Sequence, residues 1–157
     1  MADGGRRAKS ATISAPRPAW VRHGLGAATA LYSLVLVFTT HYPHPEKILD
    51  LLLSRGEQPS DKSLHLMAYG VLGLLAAATL RAHGRLNPRN AILLAAGLAA
   101  AAVVDEITQP LFNRHSDPID WACDCIGILA GIVVVASIAD AAARRRPAHE
   151  CPPEAAQ

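Results

Sequence analysis

Four apolar segments constrain the fold more strongly than any other feature of the sequence. They cover residues 24–40, 64–80, 91–109 and 121–139. Each is close to the roughly 20 residues that a helix needs to cross a bilayer, the third only if its acidic end is counted. With 51% apolar and 18% charged residues, the composition argues against a small water-soluble enzyme. The sequence therefore predicts an all-α, polytopic membrane protein with four transmembrane helices.

The distribution of charge predicts the orientation of these helices. Eleven of the 15 basic residues lie in the amino-terminal tail, the second loop and the carboxyl-terminal tail. Nine of the 13 acids lie in the other two loops and the adjoining helix ends. Because Lys and Arg are enriched in cytoplasmic loops, we expect both termini to be cytoplasmic and the acidic side to face outward. The predicted location is the cell (inner) membrane.

The segments outside the helices are predicted to play secondary roles. Residues 1–19 form a basic tail and residues 143–157 a second tail, both expected to be disordered and cytoplasmic, around a membrane domain at 20–142. The outer loop, 41–60, fits either a short amphipathic surface helix or a lid, and His41 and His44 within it are interpreted as solvated. Cys123 and Cys125 point to different faces of one helix, so no disulfide is expected.

The third segment ends in two carboxylates, Asp105 and Glu106, followed by the amide Gln109. Residues 91–104 make about 21 Å of helix, whereas the hydrocarbon slab is roughly 30 Å thick. The acids therefore lie inside the bilayer or at its edge, where ionisable groups predict a functional site. Glu106 and Gln109 share one helix face and are the expected inward pair, while Asp105 is more readily assigned to a structural bond.

Polar residues also begin the second and fourth helices. Asp61, His65 and Tyr69 recur every four residues and so share one face of the second helix. Asp120 and Asp124 are one turn apart, and a GxxxG pair that favours close helix packing follows them. Alternate helices run in opposite directions, so these starts meet the end of the third helix at the outer surface. We predict a shared site there, with Arg114 of the last loop beside it.

The order and spacing of these motifs resemble the VanZ-like membrane protein family over about residues 46–137. The motifs are Asp61-Lys62-x-x-His65 with Tyr69, Asp105-Glu106-x-x-Gln109, Arg114, and Asp120 followed by Gly127 and Gly131. The resemblance implies a small polytopic bacterial membrane protein, in a family named for a member associated with resistance to the glycopeptide teicoplanin. It implies no settled reaction. The chain has Leu66 where the family usually has an aromatic residue, and Asp124 where it usually has Asn.

The residues leave three functions open. As an enzyme of the cell envelope, the protein would use His65, Glu106, Asp61 and Asp120 as acids and bases, with Arg114, Gln109, Tyr69 and Asp105 holding a lipid-linked glycan or phosphate ligand. As a cation- or proton-coupled small transporter or binding protein, it would use Asp61, His65, Glu106, Asp120 and Asp124 as cation ligands or as a proton relay, with Asp124, Asp120 and His65 as the foremost metal ligands. As a structural clasp, it would pair Arg114 with Glu106 or Asp120, His65 with Asp105, and Tyr69 with a backbone carbonyl.

The sequence also predicts the partners of the protein. The lipid bilayer is the principal one, and no nucleic acid is expected. A homo-oligomer is compatible with the sequence, because four helices make a small transporter. The residues identify no cofactor.

Overall fold

The structure is a computed structural model and describes residues 17–42 and 60–144. The described part contains four α-helices: α1 (Ala19–His41), α2 (Asp61–Ala82), α3 (Pro88–Thr108) and α4 (Pro118–Arg144). A 3-10 turn, Gln109–Phe112, continues α3. All four helices are long and apolar enough to cross a membrane, which confirms the predicted fold class. Both terminal tails beyond these residues, and the predicted surface helix or lid, lie outside the described residues.

Local sequence explains where the helices begin and end. The Ser60 side chain caps α2 by accepting a hydrogen bond from the backbone N–H of Ser63. Asn87 caps α3 in the same way, and Pro88 occupies its first turn, where no N–H is needed. Gly84, at a φ of 69°, ends the turn after α2. Pro110 lies in the 3-10 turn that follows α3, so the α-helix ends where the sequence predicts.

The centre of the bundle is the parallel pair of α2 and α4, which pack against each other over most of their length. Their backbones touch at Gly73, Gly127 and Gly131, where an added methyl group would meet the backbone of the other helix. We call this contact the glycine seam. Helix α1 packs on α2 and α3 packs on α4, both antiparallel to their neighbours. Helices α1 and α3 contact each other only sparingly within the described residues, which leaves a groove between them.

The bundle buries few side chains and exposes many large apolar ones. Few residues form the connected core, which includes the ring of Tyr69: Leu36, Tyr69, Leu72, Ala77, Ala102, Ile128, Ile132 and Val135. Leu34, Phe38, Ile92 and Val133 are among the exposed residues on the outside of the helices. A water-soluble bundle would bury such a surface, whereas a bilayer solvates it.

The two ends of the bundle differ in charge. We call the end where α1 and α3 finish and α2 and α4 begin the acidic end. The opposite end carries Arg17, Arg22, Arg81, Arg85 and Arg89. The convergence of the three acidic helix ends is thus observed, while the side of the membrane that each end faces stays a prediction.

Candidate functional site

Eight polar side chains are buried together at the acidic end. One is Thr40 of α1, and we call the other seven the polar cluster: His65, Tyr69, Asp105, Glu106, Gln109, Asp120 and Asp124. All seven are residues that the sequence places in the shared site. Asp61 and Arg114, the other two residues of that site, lie at the rim. The Asp61 side chain is 53% exposed, whereas the Arg114 side chain is only 13% exposed.

His65 lies at the centre of the polar cluster because the glycine seam holds α2 close to α4. Its Nδ1 atom is 3.0 Å from Oδ1 of Asp124 and 4.0 Å from Oε1 of Glu106. The Glu106 carboxylate accepts a hydrogen bond from the backbone N–H of Asp117 at 3.1 Å. It accepts a longer one, 3.4 Å, from the Gln109 side-chain amide. Glu106 and Gln109 therefore do form an inward pair, and the loop before α4 fixes the orientation of the carboxylate.

Asp105 is as deeply buried as Glu106 and joins α3 to α1 and α2. Its Oδ1 accepts a hydrogen bond from Thr40 at 2.8 Å, and its Oδ2 accepts one from the Tyr69 hydroxyl at 3.0 Å. His41 Nδ1 is 3.4 Å from the same carboxylate. The expected structural hydrogen bond of Asp105 is thus present, and it connects three helices.

His41 is not a solvated loop residue, so the sequence interpretation was wrong on this point. Helix α1 continues to His41, whose Nδ1 donates to the Val37 carbonyl at 2.8 Å while Nε2 lies 2.8 Å from the Thr108 hydroxyl. The ring edge packs on Phe112. His41 and Thr40 lie before residue 46, outside the family-like region, so the motif comparison could not point to them. The available signal was a polar group directly after an apolar segment.

The fixed cations at the acidic end bind carboxylates near the surface. Lys62 lies 3.0 Å from Asp117 and 3.5 Å from Asp120. Arg114 donates to the Thr40 carbonyl at 3.1 Å and to Asp61 at 3.4 Å. A hydrogen bond from the backbone N–H of residue 119 and the contact with Lys62 lower the pKa of Asp117.

These contacts differ from every pairing expected of a structural clasp. Arg114 binds Asp61, not Glu106 or Asp120. His65 binds Asp124 in place of Asp105. The Tyr69 hydroxyl donates to a carboxylate, not to a backbone carbonyl.

The carboxylates at the acidic end outnumber the fixed cations. Within residues 17–42 and 60–144, two fixed cations, Lys62 and Arg114, face the carboxylates of Asp61, Asp105, Glu106, Asp117, Asp120 and Asp124. In this part of the chain no Lys or Arg contacts Asp105, Glu106 or Asp124. Buried charges are costly unless paired, so this half of the polar cluster is suited to bind protons, a cation or hydrogen-bond donors from a ligand.

Two sets of side chains have a spacing that suits a cation. His65, Glu106 and Asp124 each offer one ligand atom, and these atoms lie within 4.8 Å of one another. Asp61, His65 and Asp120 meet the same distance, but Asp61 is exposed and Lys62 already contacts Asp120.

A groove of about 910 Å³ between α1 and α3 reaches the polar cluster. Its walls are mostly apolar and include Leu36, Phe38, Leu98 and Val104. At the acidic end its lining also includes four polar residues, His41, Tyr69, Asp105 and Thr108, beside Leu111 and Phe112. The groove thus has the polarity profile of an amphiphile, with an apolar length and a polar end.

No protein-family model, curated protein or solved structure matches this chain. The VanZ-like resemblance therefore rests on the order and spacing of the motifs alone.

Proposed function

We propose that the protein is a VanZ-like membrane protein of the bacterial cell envelope that binds a lipid-linked glycan at its acidic end. The lipid chain lies in the groove between α1 and α3, and the headgroup lies against the polar residues that end it. The observation that carries this proposal is that four polar residues, His41, Tyr69, Asp105 and Thr108, line one end of a mostly apolar groove.

The shape and position of the groove support a lipid ligand. Its volume, about 910 Å³, lies within the range of small-molecule sites, roughly 300–1,000 Å³. Phe38, Val104 and Leu111 line it and are exposed on the outside of the bundle, which is the surface that faces lipid. An amphiphile can therefore enter sideways from the bilayer without passing through water.

The chemistry of the polar end favours a headgroup with hydroxyl or amide donors. The Asp105 carboxylate, which no fixed cation contacts in the described residues, accepts hydrogen bonds of the kind that sugar hydroxyls donate. Arg114 reaches the same end through the Thr40 carbonyl, and its 3.4 Å contact with exposed Asp61 is loose. A phosphate between lipid and glycan would replace that contact, because guanidinium groups bind phosphate in a bidentate manner.

A pair of adjacent substitutions tests the groove. Ala101 lines it, whereas Ala100, its exposed neighbour on α3, does not. The probe is a photoreactive polyprenyl-phosphate-linked sugar, crosslinked to the full-length protein in nanodiscs. Ala101→Trp fills the groove and weakens binding at least about tenfold, or about 1.4 kcal/mol, while Ala100→Trp leaves it unchanged. Equal crosslinking in both variants would reject the groove as the lipid site.

A second experiment tests the role of the polar cluster in the cell. If the cluster is a site, Glu106→Gln abolishes any glycopeptide-tolerance or envelope phenotype of the protein while its level in the membrane stays normal. A clasp that only fixes helix packing predicts a lower membrane level instead.

Labelling of single cysteines introduced at Ser116 and Arg85 tests the orientation of the protein in the membrane. Only the cysteine at position 116 should react with an impermeant reagent added outside intact cells.

A further inference from the structure

We propose that His65, Glu106 and Asp124 form a binding site for a divalent transition-metal cation, with Zn²⁺ or Mn²⁺ as the fitting ions. The sequence suggests a cation site among Asp61, His65, Glu106, Asp120 and Asp124, and the geometry selects three of these five residues. It is independent of the lipid groove, which none of the three residues lines. Three helices, α2, α3 and α4, contribute one ligand each.

The distances among the ligand atoms fit such an ion. Nδ1 of His65 is 3.0 Å from the Asp124 carboxylate and 4.0 Å from that of Glu106. For metal–ligand bonds of about 2.0–2.2 Å and angles of about 90–120°, neighbouring ligand atoms lie roughly 3.0–3.6 Å apart. The first distance already agrees, and the second needs a movement of a few tenths of an ångström by the Glu106 side chain. The third, between the Glu106 and Asp124 carboxylates, lies within 4.8 Å.

A second observation points to a missing partner at the same place. The Asp124 side chain is 0% exposed, and its Oδ2 atom has no hydrogen-bond partner in the part of the chain that the structure describes. An unpaired buried carboxylate oxygen is costly, and native structures rarely retain one. A cation held by both oxygens of this carboxylate, Oδ1 beside His65 and Oδ2, would supply the partner.

The charge and the surroundings select the class of ion. Two carboxylates and one imidazole suit Zn²⁺ or Mn²⁺, whereas Ca²⁺ takes six to eight oxygen ligands. The backbone N–H of Asp117 and the amide of Gln109 already orient Glu106, as outer partners orient metal ligands elsewhere. The glycine seam fixes the spacing between α2 and α4, which carry the other two ligands.

Metal binding to the purified full-length protein tests the proposal. The protein is stripped with a chelator in nanodiscs, equilibrated with Zn²⁺ or Mn²⁺, and its bound metal is measured by mass spectrometry. We expect the wild type to bind one ion per chain. The Kd for the metal should rise at least about 100-fold in both Asp124→Asn and Glu106→Gln, because losing only a residue that hydrogen-bonds a metal ligand already lowers metal affinity by about 10–100-fold. Asp140→Asn, which changes an exposed carboxylate on the same helix as Asp124, should bind as the wild type does.

Two results would overturn the proposal. One is a wild-type protein that binds neither ion. The other is tight binding that survives in folded Asp124→Asn and Glu106→Gln protein, with folding checked by circular dichroism. Cobalt substitution provides a readout of the ligands themselves, because Cys123 and Cys125 flank Asp124. Nitrogen and oxygen ligands give only weak visible bands, whereas a strong thiolate charge-transfer band would place the ion on a cysteine and reject the site.

Discussion

Gly131→Ala should separate α2 from α4, because the glycine seam leaves no room for a methyl group there. An added Cβ would overlap the Gly70 carbonyl oxygen, lie 2.5 Å from the Leu74 nitrogen and 3.0 Å from the Gly73 carbonyl carbon. All three are backbone atoms, which cannot move aside as a flexible side chain can. Ordinary contact requires about 3.4–4 Å, so the helices must separate locally by roughly 1 Å.

The cost follows from the lost packing along the seam. A gap of about 0.5–1 Å forfeits a quarter to a half of each contact energy, and overpacking of this kind typically costs about 1–3 kcal/mol. For a chain of this size, about 2–4 °C of melting temperature corresponds to each kcal/mol, so we expect a fall of about 2–12 °C. Thermal unfolding in nanodiscs, followed by circular dichroism, measures it.

Two glycines provide matched controls for this prediction. Gly70 lies on the same seam, but a methyl group on it would be 3.6 Å from the nearest atom of α4, an ordinary contact. Gly97 of α3 has open space around it. Gly70→Ala and Gly97→Ala should therefore be neutral or slightly stabilising, because Ala favours helix by up to about 1 kcal/mol. If Gly131→Ala and Gly70→Ala shift the melting temperature equally, the close backbone approach at the seam is refuted.

Three further predictions concern the acidic end. Thr40→Val should destabilise the protein by about 1–3 kcal/mol in thermal unfolding, because the buried Asp105 carboxylate loses the hydrogen bond that the Thr40 hydroxyl donates. Thr39→Val should change the stability little, because the Thr39 hydroxyl bonds only a carbonyl of its own helix. The pKa of Asp117 is lowered in the folded protein, so the charge of this carboxylate stabilises the fold fully above pH 3.8, its ordinary pKa, and loses that effect as the pH falls through its pKa in the folded state. The difference in free energy of unfolding between the wild type and Asp117→Asn should therefore narrow below pH 3.8. A difference that stays constant would contradict this. Chelator-treated Asp124→Asn should melt no lower than chelator-treated wild type, since it removes a buried charge, and a clear fall would contradict that reasoning.

The spans and the convergence of the acidic residues were predictable because both depend on coarse periodic features. Apolar length marks each helix, and alternation of direction places the ends of α1 and α3 beside the starts of α2 and α4. The stripe of His65 and Tyr69 follows from the helical repeat alone. Both residues are buried, as that stripe implies.

The partners within the cluster were not predictable, because they depend on the rotation of each helix about its axis. The glycine seam sets that rotation for α2 and α4, and it turns His65 toward Asp124 and not toward Asp105. The role of His41 was missed for a different reason. Its position after an apolar segment looked like the start of a loop, whereas α1 extends one residue past Thr40 and brings both side chains against α3.

The Asp124 carboxylate is the feature that separates a clasp from a site. For packing alone, an Asn at this position would serve as well, since its amide oxygen could accept the same bond from His65 Nδ1 without burying a charge. The carboxylate is fully buried, and neither Lys62 nor Arg114 contacts the charge that it carries when it is ionised. A buried charge of this kind is favourable only when a cation or a proton accompanies it. The cation proposed to bind Asp124 together with His65 and Glu106 would supply that positive charge.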